Sequence, residues 1–154
     1  ARKVSLLVKS VAGSEESRLA ISEGAEVAAA CASYGIDCVE ISFALGRPVW
    51  VDTGQEAPLL PLAESVRKAV GPDYPLALVY GFRTRQCMEE VLSSGVVQMI
   101  SLCRPLIAEP DLAAKMKRGS SDHVACVRCD LCRPTEDEEG IACRNKAVLE
   151  SLGR

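Results

Sequence analysis

The sequence predicts an α/β protein, a parallel sheet covered by helices. Three observations predict it. Short apolar runs rich in strand formers alternate with amphipathic or alanine-rich stretches four times along 154 residues. The repeat spacing, roughly 20 to 40 residues, suits βα units. The strand-like runs are nearly continuous in apolar character, as expected where both faces of a sheet are buried.

The elements follow in order. Val4–Lys9 is a strand-forming run. Val11–Ser22 carries Gly13, Ser14 and Glu15–Glu16, a loop and a helix start. The alanine-rich stretch Glu23–Tyr34 reads as helix, stopped by Gly35. Asp37–Ser42 is the second strand, and Phe43–Pro58, with two glycines and two prolines, is a long loop that holds Trp50. Leu59–Val70 is an amphipathic helix with Pro61 in its first turn, ended by Gly71-Pro72. Pro75–Tyr80 is the third strand. Thr84–Ser93 is a helix with Thr84 as its cap and Gly95 beyond its end. Val96–Leu102 is the fourth strand, and Asp111–Arg118 is a helix closed by Gly119. This gives a four-unit body over 1–120 and a cysteine-rich tail over 121–154 that ends in a short helix. No G-x-G-x-x-G follows the first strand, which weighs against a dinucleotide-binding unit. The pattern alone does not separate an open sheet from a barrel.

Composition narrows the function classes. A net charge of −3 and a pI near 5.3 argue against a nucleic-acid binder. No stretch has the apolar length to span a bilayer. Arg2 and Lys3 lead straight into a strand-like run, so no signal peptide is expected at this end. Of eight cysteines, Cys31, Cys38, Cys87 and Cys103 lie singly in apolar segments, which fits a reducing, cytoplasmic setting. The acidic run Glu136–Glu139 reads as a solvated surface.

Three segments carry a chemical signal. In Val79-Tyr-Gly-Phe-Arg-Thr84 a strand ends, glycine follows, and a helix begins. Such a turn brings main-chain N–H groups close to an anion; its plain alternative is a βα turn with a capping threonine. In Ile100–Leu112, Arg104 stands at the C-terminal end of a strand, where barrels place phosphate-binding cations; its alternative is an ion pair with a nearby carboxylate such as Glu109. The third segment is Cys126-Val-Arg-Cys129-Asp-Leu-Cys132 with Cys143 beyond. Three thiols at successive x2 spacings suit an iron–sulfur cluster better than zinc. Zinc, or a Cys126–Cys129 disulfide, remains the alternative. His123 reads as a loop histidine.

Gly81-Phe-Arg-Thr84, the run Ser101-Leu-Cys-Arg-Pro-Leu-Ile-Ala-Glu-Pro-Asp-Leu112, and Gly35-Ile-Asp-Cys-Val-Glu-Ile-Ser42 together resemble the old yellow enzyme, or NADH:flavin oxidoreductase, family. The resemblance covers nearly the whole chain in the right order. It implies a (β/α)8 TIM barrel of which this chain is the C-terminal half, strands five to eight. It further implies an FMN site with Lys9 beside the flavin ring and with Tyr80, Gly81, Cys103 and Arg104 at the phosphate. Two positions depart from the family's turns: Cys103 replaces a glycine, and Tyr80 replaces a small residue. The cysteine cluster resembles that of the family's iron–sulfur subset, of the 2,4-dienoyl-CoA reductase kind, and implies a 4Fe-4S cluster on Cys126, Cys129, Cys132 and Cys143.

The family's substrate-anchoring and proton-donating side chains lie in the other half, so no catalytic residue is assigned here. The resemblance implies an enzyme that passes hydride from NAD(P)H through FMN to a small electrophile. This chain alone is expected to be inactive. The rival reading is a non-catalytic half-barrel that self-associates or pairs with an N-terminal half-barrel, because four βα units leave two open sheet edges.

Overall fold

The computed structural model describes residues 3–8, 15–43, 54–134 and 140–154. The described chain falls into two compact units: residues 1–82 with 87–101, and residues 83–86 with 102–154. Trp50 and Glu136–Glu139 lie outside the described residues.

The first unit is a mixed α/β body around a parallel sheet. Its elements are β1 (Lys3–Val8), α1 (Glu15–Ser33), β2 (Cys38–Phe43), α2 (Leu60–Val70), β3 (Leu76–Val79), most of α3 (Arg85–Ser93), and β4 (Met99–Ser101). The sheet order is β1-β2-β3-β4, all parallel. Spatial order thus repeats chain order. Crossovers between parallel strands are right-handed in nearly every case, so an unbroken sequential order carries its helices on one face. The side-by-side packing of α1 and α2 agrees with that. A doubly wound sheet would reverse its order part-way, and this one does not.

The helix-covered face holds the core. Val39 and Ile41 of β2 and Leu76 and Leu78 of β3 are fully buried, as are Ala63 and Val66 of α2. Each buried branched side chain contributes roughly 1.5–3 kcal/mol. The other face differs from the expected continuous apolar run. In β2, buried Val39 and Ile41 alternate with half-buried Glu40 and Ser42. Period-two alternation puts the polar pair on the side away from the core.

Helix α1 begins at Glu15, at the helix start read from Glu15–Glu16, and runs on through the alanine-rich stretch. It stops where expected: Gly35 sits at φ 77, its N–H donates to the Ala32 carbonyl, and the Ile36 N–H donates to the Cys31 carbonyl. That double closure is a Schellman motif. Strand β4 is shorter than its apolar run. Just before it, the Gln98 N–H donates to the Leu76 carbonyl at 3.0 Å, and the Leu76 N–H donates to the Gln98 side-chain oxygen at 3.1 Å.

Arg67 of α2 fixes the loops at the N-terminal ends of β3 and β4. Its guanidinium donates to the carbonyls of Val96 (2.8 Å), Gly71 (2.7 Å) and Tyr74 (2.7 Å), and to Gln98 Oε1 (2.6 Å). Tyr74 in turn donates its hydroxyl to the Ile36 carbonyl at 2.7 Å.

The second unit holds α4 (Arg104–Ala108), α5 (Leu112–Lys117) and α6 (Lys146–Ser151). Helix α4 lies in a stretch the sequence left without an element; Pro105 occupies its first turn, where a missing N–H costs nothing. Thr84 and His123 form an isolated antiparallel bridge, flanked by Val124 N–H to the Arg83 carbonyl and Arg85 N–H to the Asp122 carbonyl. Leu112, Met116, Ala108 and Val148 are its buried apolar residues. Among the described residues, no helix is long and apolar enough to cross a membrane.

Candidate functional site

In the first unit the candidate site is the C-terminal edge of the sheet. Val79 pairs with Ser101, so β3 and β4 end side by side at one edge. The chain leaves β3 through Tyr80 at φ 91 and Gly81 at φ 83. Two consecutive residues at positive φ reverse the local direction of the main-chain amides. For a tyrosine that backbone is strained, and such strain gathers at ligand-binding turns. Gly81 meets a second constraint. A Cβ there would lie 2.5 Å from Pro58 Cδ, so the turn is packed too closely for any side chain. Neighbouring Ala57 is itself at φ 47. The Tyr80–Gly81 main chain is therefore held by the loop that precedes α2. A turn with no room for a side chain at Gly81 suits close approach of a ligand to the main chain. Lys9 lies outside the described residues.

Near that edge a cavity of about 290 Å³ is lined by Glu56, Glu64, Glu90 and Cys87 among others. Burial and the neighbouring Glu56 and Glu90 carboxylates push the Cys87 thiol up to about 11.

In the second unit, Cys103 precedes α4 with its side chain exposed. Its carbonyl accepts from Leu106 and Ile107. The Arg104 guanidinium is paired with the Asp130 carboxylate. Glu109, the partner its alternative reading named, is buried and pairs with Lys115 at 2.7 Å. Arg104 also lies close enough to Cys126 to favour its thiolate, although burial dominates and raises that thiol. The strand-end arginine and the cysteine loop are thus one local constellation, which the sequence treated as two.

All eight cysteines are free thiols. Cys126 accepts a hydrogen bond from the Arg128 N–H, and Cys129 accepts one from the Leu131 N–H. Both bonds run from a thiol to the amide two residues on. Arg128 and Asp130 sit at φ 59 and φ 60, one on each side of Cys129. Asn145 donates its Nδ2–H to Cys129 Sγ at 3.3 Å. That bond is the largest cause holding the Cys129 thiol below its usual range. Within the loop the anion of Cys129 is favoured, while burial disfavours that of Cys126. No three His, Cys, Asp or Glu side chains among the described residues converge on a point that could hold a metal. The donor chemistry of the four cysteines suits a cluster; their arrangement here does not yet enclose one.

No family model matches the chain. It is similar to 4,4'-dithiodibutanoate disulfide reductase of Rhodococcus erythropolis, at 31% identity over 81 residues. That stretch is 53% of this chain and 19% of the relative's length, so the chain spans only a small part of the protein it matches. The likeness is to an oxidoreductase.

Of the residues singled out by sequence, Tyr80 and Gly81 lie together at the edge of the sheet. Cys103 and Arg104 lie together at the start of α4. Cys129 and Cys132 lie near enough to Cys126 to raise its thiol. Sequence reasoning missed Asp130 and Asn145. Asp130 sits inside the C-x2-C-x2-C run, one residue after Cys129, and that was its available signal. Asn145 followed Cys143 by two residues and preceded a helix.

Proposed function

We propose that this chain is the C-terminal half of an FMN-dependent (β/α)8 oxidoreductase of the old yellow enzyme type. The observation that carries the reading is the sequential parallel sheet whose β3 and β4 end side by side, with the paired positive-φ turn Tyr80–Gly81 leading off β3. The match to a disulfide reductase supports the redox class.

In this reading the main-chain amides of Tyr80 and Gly81, with Cys103 and the Arg104 guanidinium, hold the FMN phosphate. Lys9 faces the flavin ring. Bound FMN would accept hydride from NAD(P)H and deliver it to a small electrophile, either an activated alkene or a disulfide of the kind the relative is named for. This chain's residues bind and orient. Gly81 keeps the cradle open, Pro58 fixes its position, and Asp130 holds the Arg104 guanidinium in one orientation. Cys126, Cys129, Cys132 and Cys143 form the ligand set for a 4Fe-4S cluster, or zinc in its place, with the Arg128 and Leu131 amides as sulfur hydrogen-bond donors.

The test is an absorption spectrum of the whole protein that contains this chain, purified without oxygen and reconstituted with FMN. Flavin bands are expected, with a broad iron–sulfur shoulder. A colourless protein that fails to quench FMN fluorescence would overturn the flavin assignment. A flavin spectrum without the shoulder, together with bound zinc, would replace iron–sulfur by zinc.

A further inference from the structure

Asp130 stands in the sequence between Cys129 and Cys132, and its carboxylate reaches out of their loop to the Arg104 guanidinium. The pair joins residues 26 positions apart. The Arg104 and Asp130 side chains are 22% and 40% exposed, so water screens the pair less than it screens two charges on an open surface. One carboxylate thus belongs by sequence to the cysteine loop and by contact to the strand-end arginine.

The backbone around Asp130 is held from the sulfur side. The Arg128 N–H donates to Cys126 and the Leu131 N–H donates to Cys129. Asn145 Nδ2–H reaches Cys129 Sγ at 3.3 Å. Asp130 itself sits at φ 60, a conformation that a residue with a side chain keeps only where its surroundings impose it. Where the Asp130 carboxylate lies therefore depends on where the sulfurs lie. Among the described residues no three thiols yet meet at one point, so capture of a metal draws the loop tighter around Asp130. Cross-linking thiols that only hydrogen bonds hold removes conformational freedom from the residues between them.

We propose that Asp130 is a positioning residue that carries the state of the cysteine loop to Arg104. When the thiols hold a metal, the guanidinium is pinned; when they do not, it is looser. The inference rests on the reading of the four cysteines as a metal ligand set. It adds a linkage between that site and the arginine assigned to the FMN phosphate. Such a linkage is reciprocal, so a phosphate held on Arg104 favours the loop arrangement that holds metal. In the complete protein the two groups then bind cooperatively, and loss of metal loosens FMN. A direct route through space also exists, since Arg104 lies near Cys126; the test separates the two.

The test is the rate at which phenylglyoxal modifies Arg104, read by peptide mass spectrometry. The reduced chain is compared with and without zinc, whose uptake is measured in the same sample. Arg85, 39% exposed and paired with Asp122, is the internal reference. Zinc is expected to slow modification of Arg104 at least about fivefold relative to Arg85. In Asp130→Asn the rate is expected to be fast and the same with and without zinc. Asp130→Gly, which suits the positive φ, takes its place if the asparagine variant does not fold. The proposal is overturned if zinc is taken up and Arg104 reacts as before. It is equally overturned if the slowing survives loss of the Asp130 carboxylate, which would give the effect to the thiolates alone. A chain that takes up no zinc overturns it together with the metal reading. In the complete protein, zinc is expected to tighten FMN at least about fivefold by fluorescence quenching, and Asp130→Asn to remove that difference. FMN that binds equally well with and without zinc contradicts the linkage. An absence of quenching under every condition removes the flavin assignment and leaves the Arg104 rates to decide the role of Asp130.

Discussion

At the scale of single residues, the thiols are the most discriminating groups in this chain. Cys87, pushed up to about 11 by burial and two carboxylates, is almost wholly protonated at neutral pH. Cys129, held down by the Asn145 amide and the Leu131 N–H, has more thiolate there than an ordinary cysteine. Reactivity follows the thiolate. Brief alkylation near pH 8, read by peptide mass spectrometry, is expected to label Cys129 first and Cys87 last. Equal labelling of the two would remove the electrostatic picture of both sites. Asn145→Ala should raise the Cys129 pKa towards its usual value and slow its alkylation. Gly81 is the second informative residue. Its positive φ and the 2.5 Å approach to Pro58 leave no room for a methyl group. Gly81→Ala is expected to cost about 1–3 kcal/mol in urea unfolding and to weaken FMN binding in the complete protein. An alanine variant of full stability would show that the turn relaxes freely.

At the scale of elements, the sheet depends on polar groups at one end and apolar groups along its length. Arg67 satisfies four carbonyls and one side-chain oxygen belonging to the loops that start β3 and β4. Burial lowers its pKa against the pull of Asp73, and it stays charged at every working pH. Removing it leaves several partly buried carbonyls without a donor. Arg67→Ala is therefore expected to destabilise the fold by about 2–4 kcal/mol, and Arg67→Lys to recover only part of that, since an ammonium lacks the fork. Thermal unfolding followed by circular dichroism checks both; an unchanged midpoint for Arg67→Ala would mean that water serves those carbonyls equally well. Helix α6 is set the same way on a smaller scale. Asn145 Oδ1 accepts from the Val148 N–H at 3.1 Å, so Asn145→Ala should also cost about 1 kcal/mol of cap energy.

At the scale of the whole molecule, the arrangement is asymmetric in what it buries. One sheet face is a closed apolar core, and the other carries a polar pair beside an exposed methionine. In the barrel reading proposed above, further βα units cover that face. Catalysis is expected only in the complete protein. The chain alone should show no NAD(P)H oxidation with an enone or a disulfide as acceptor, even with FMN present. Turnover by the chain alone, at a rate above free FMN, would contradict the half-barrel assignment. Anaerobic addition of ferric and ferrous iron with sulfide should organise the tail into a coloured cluster, and Cys126→Ser should abolish the colour.

The sequence by itself determined the order and kind of the elements in the first unit, because a period of two or of 3.6 in apolar residues is a local property. It also marked the Gly35 stop, the Tyr80–Gly81 turn and the clustered thiols, since glycine and cysteine have few other reasons to stand where they do. Strand order was not legible, because the same βα pattern serves open and closed sheets; only the register of β1 to β4 decided it. Tertiary structure alone paired Arg104 with Asp130 in place of Glu109. It alone joined Ser101 to Glu40 across β3 and gathered the carbonyls around Arg67. These contacts bridge 26, 61 and up to 31 residues of chain respectively, and no local pattern encodes a partner at that distance.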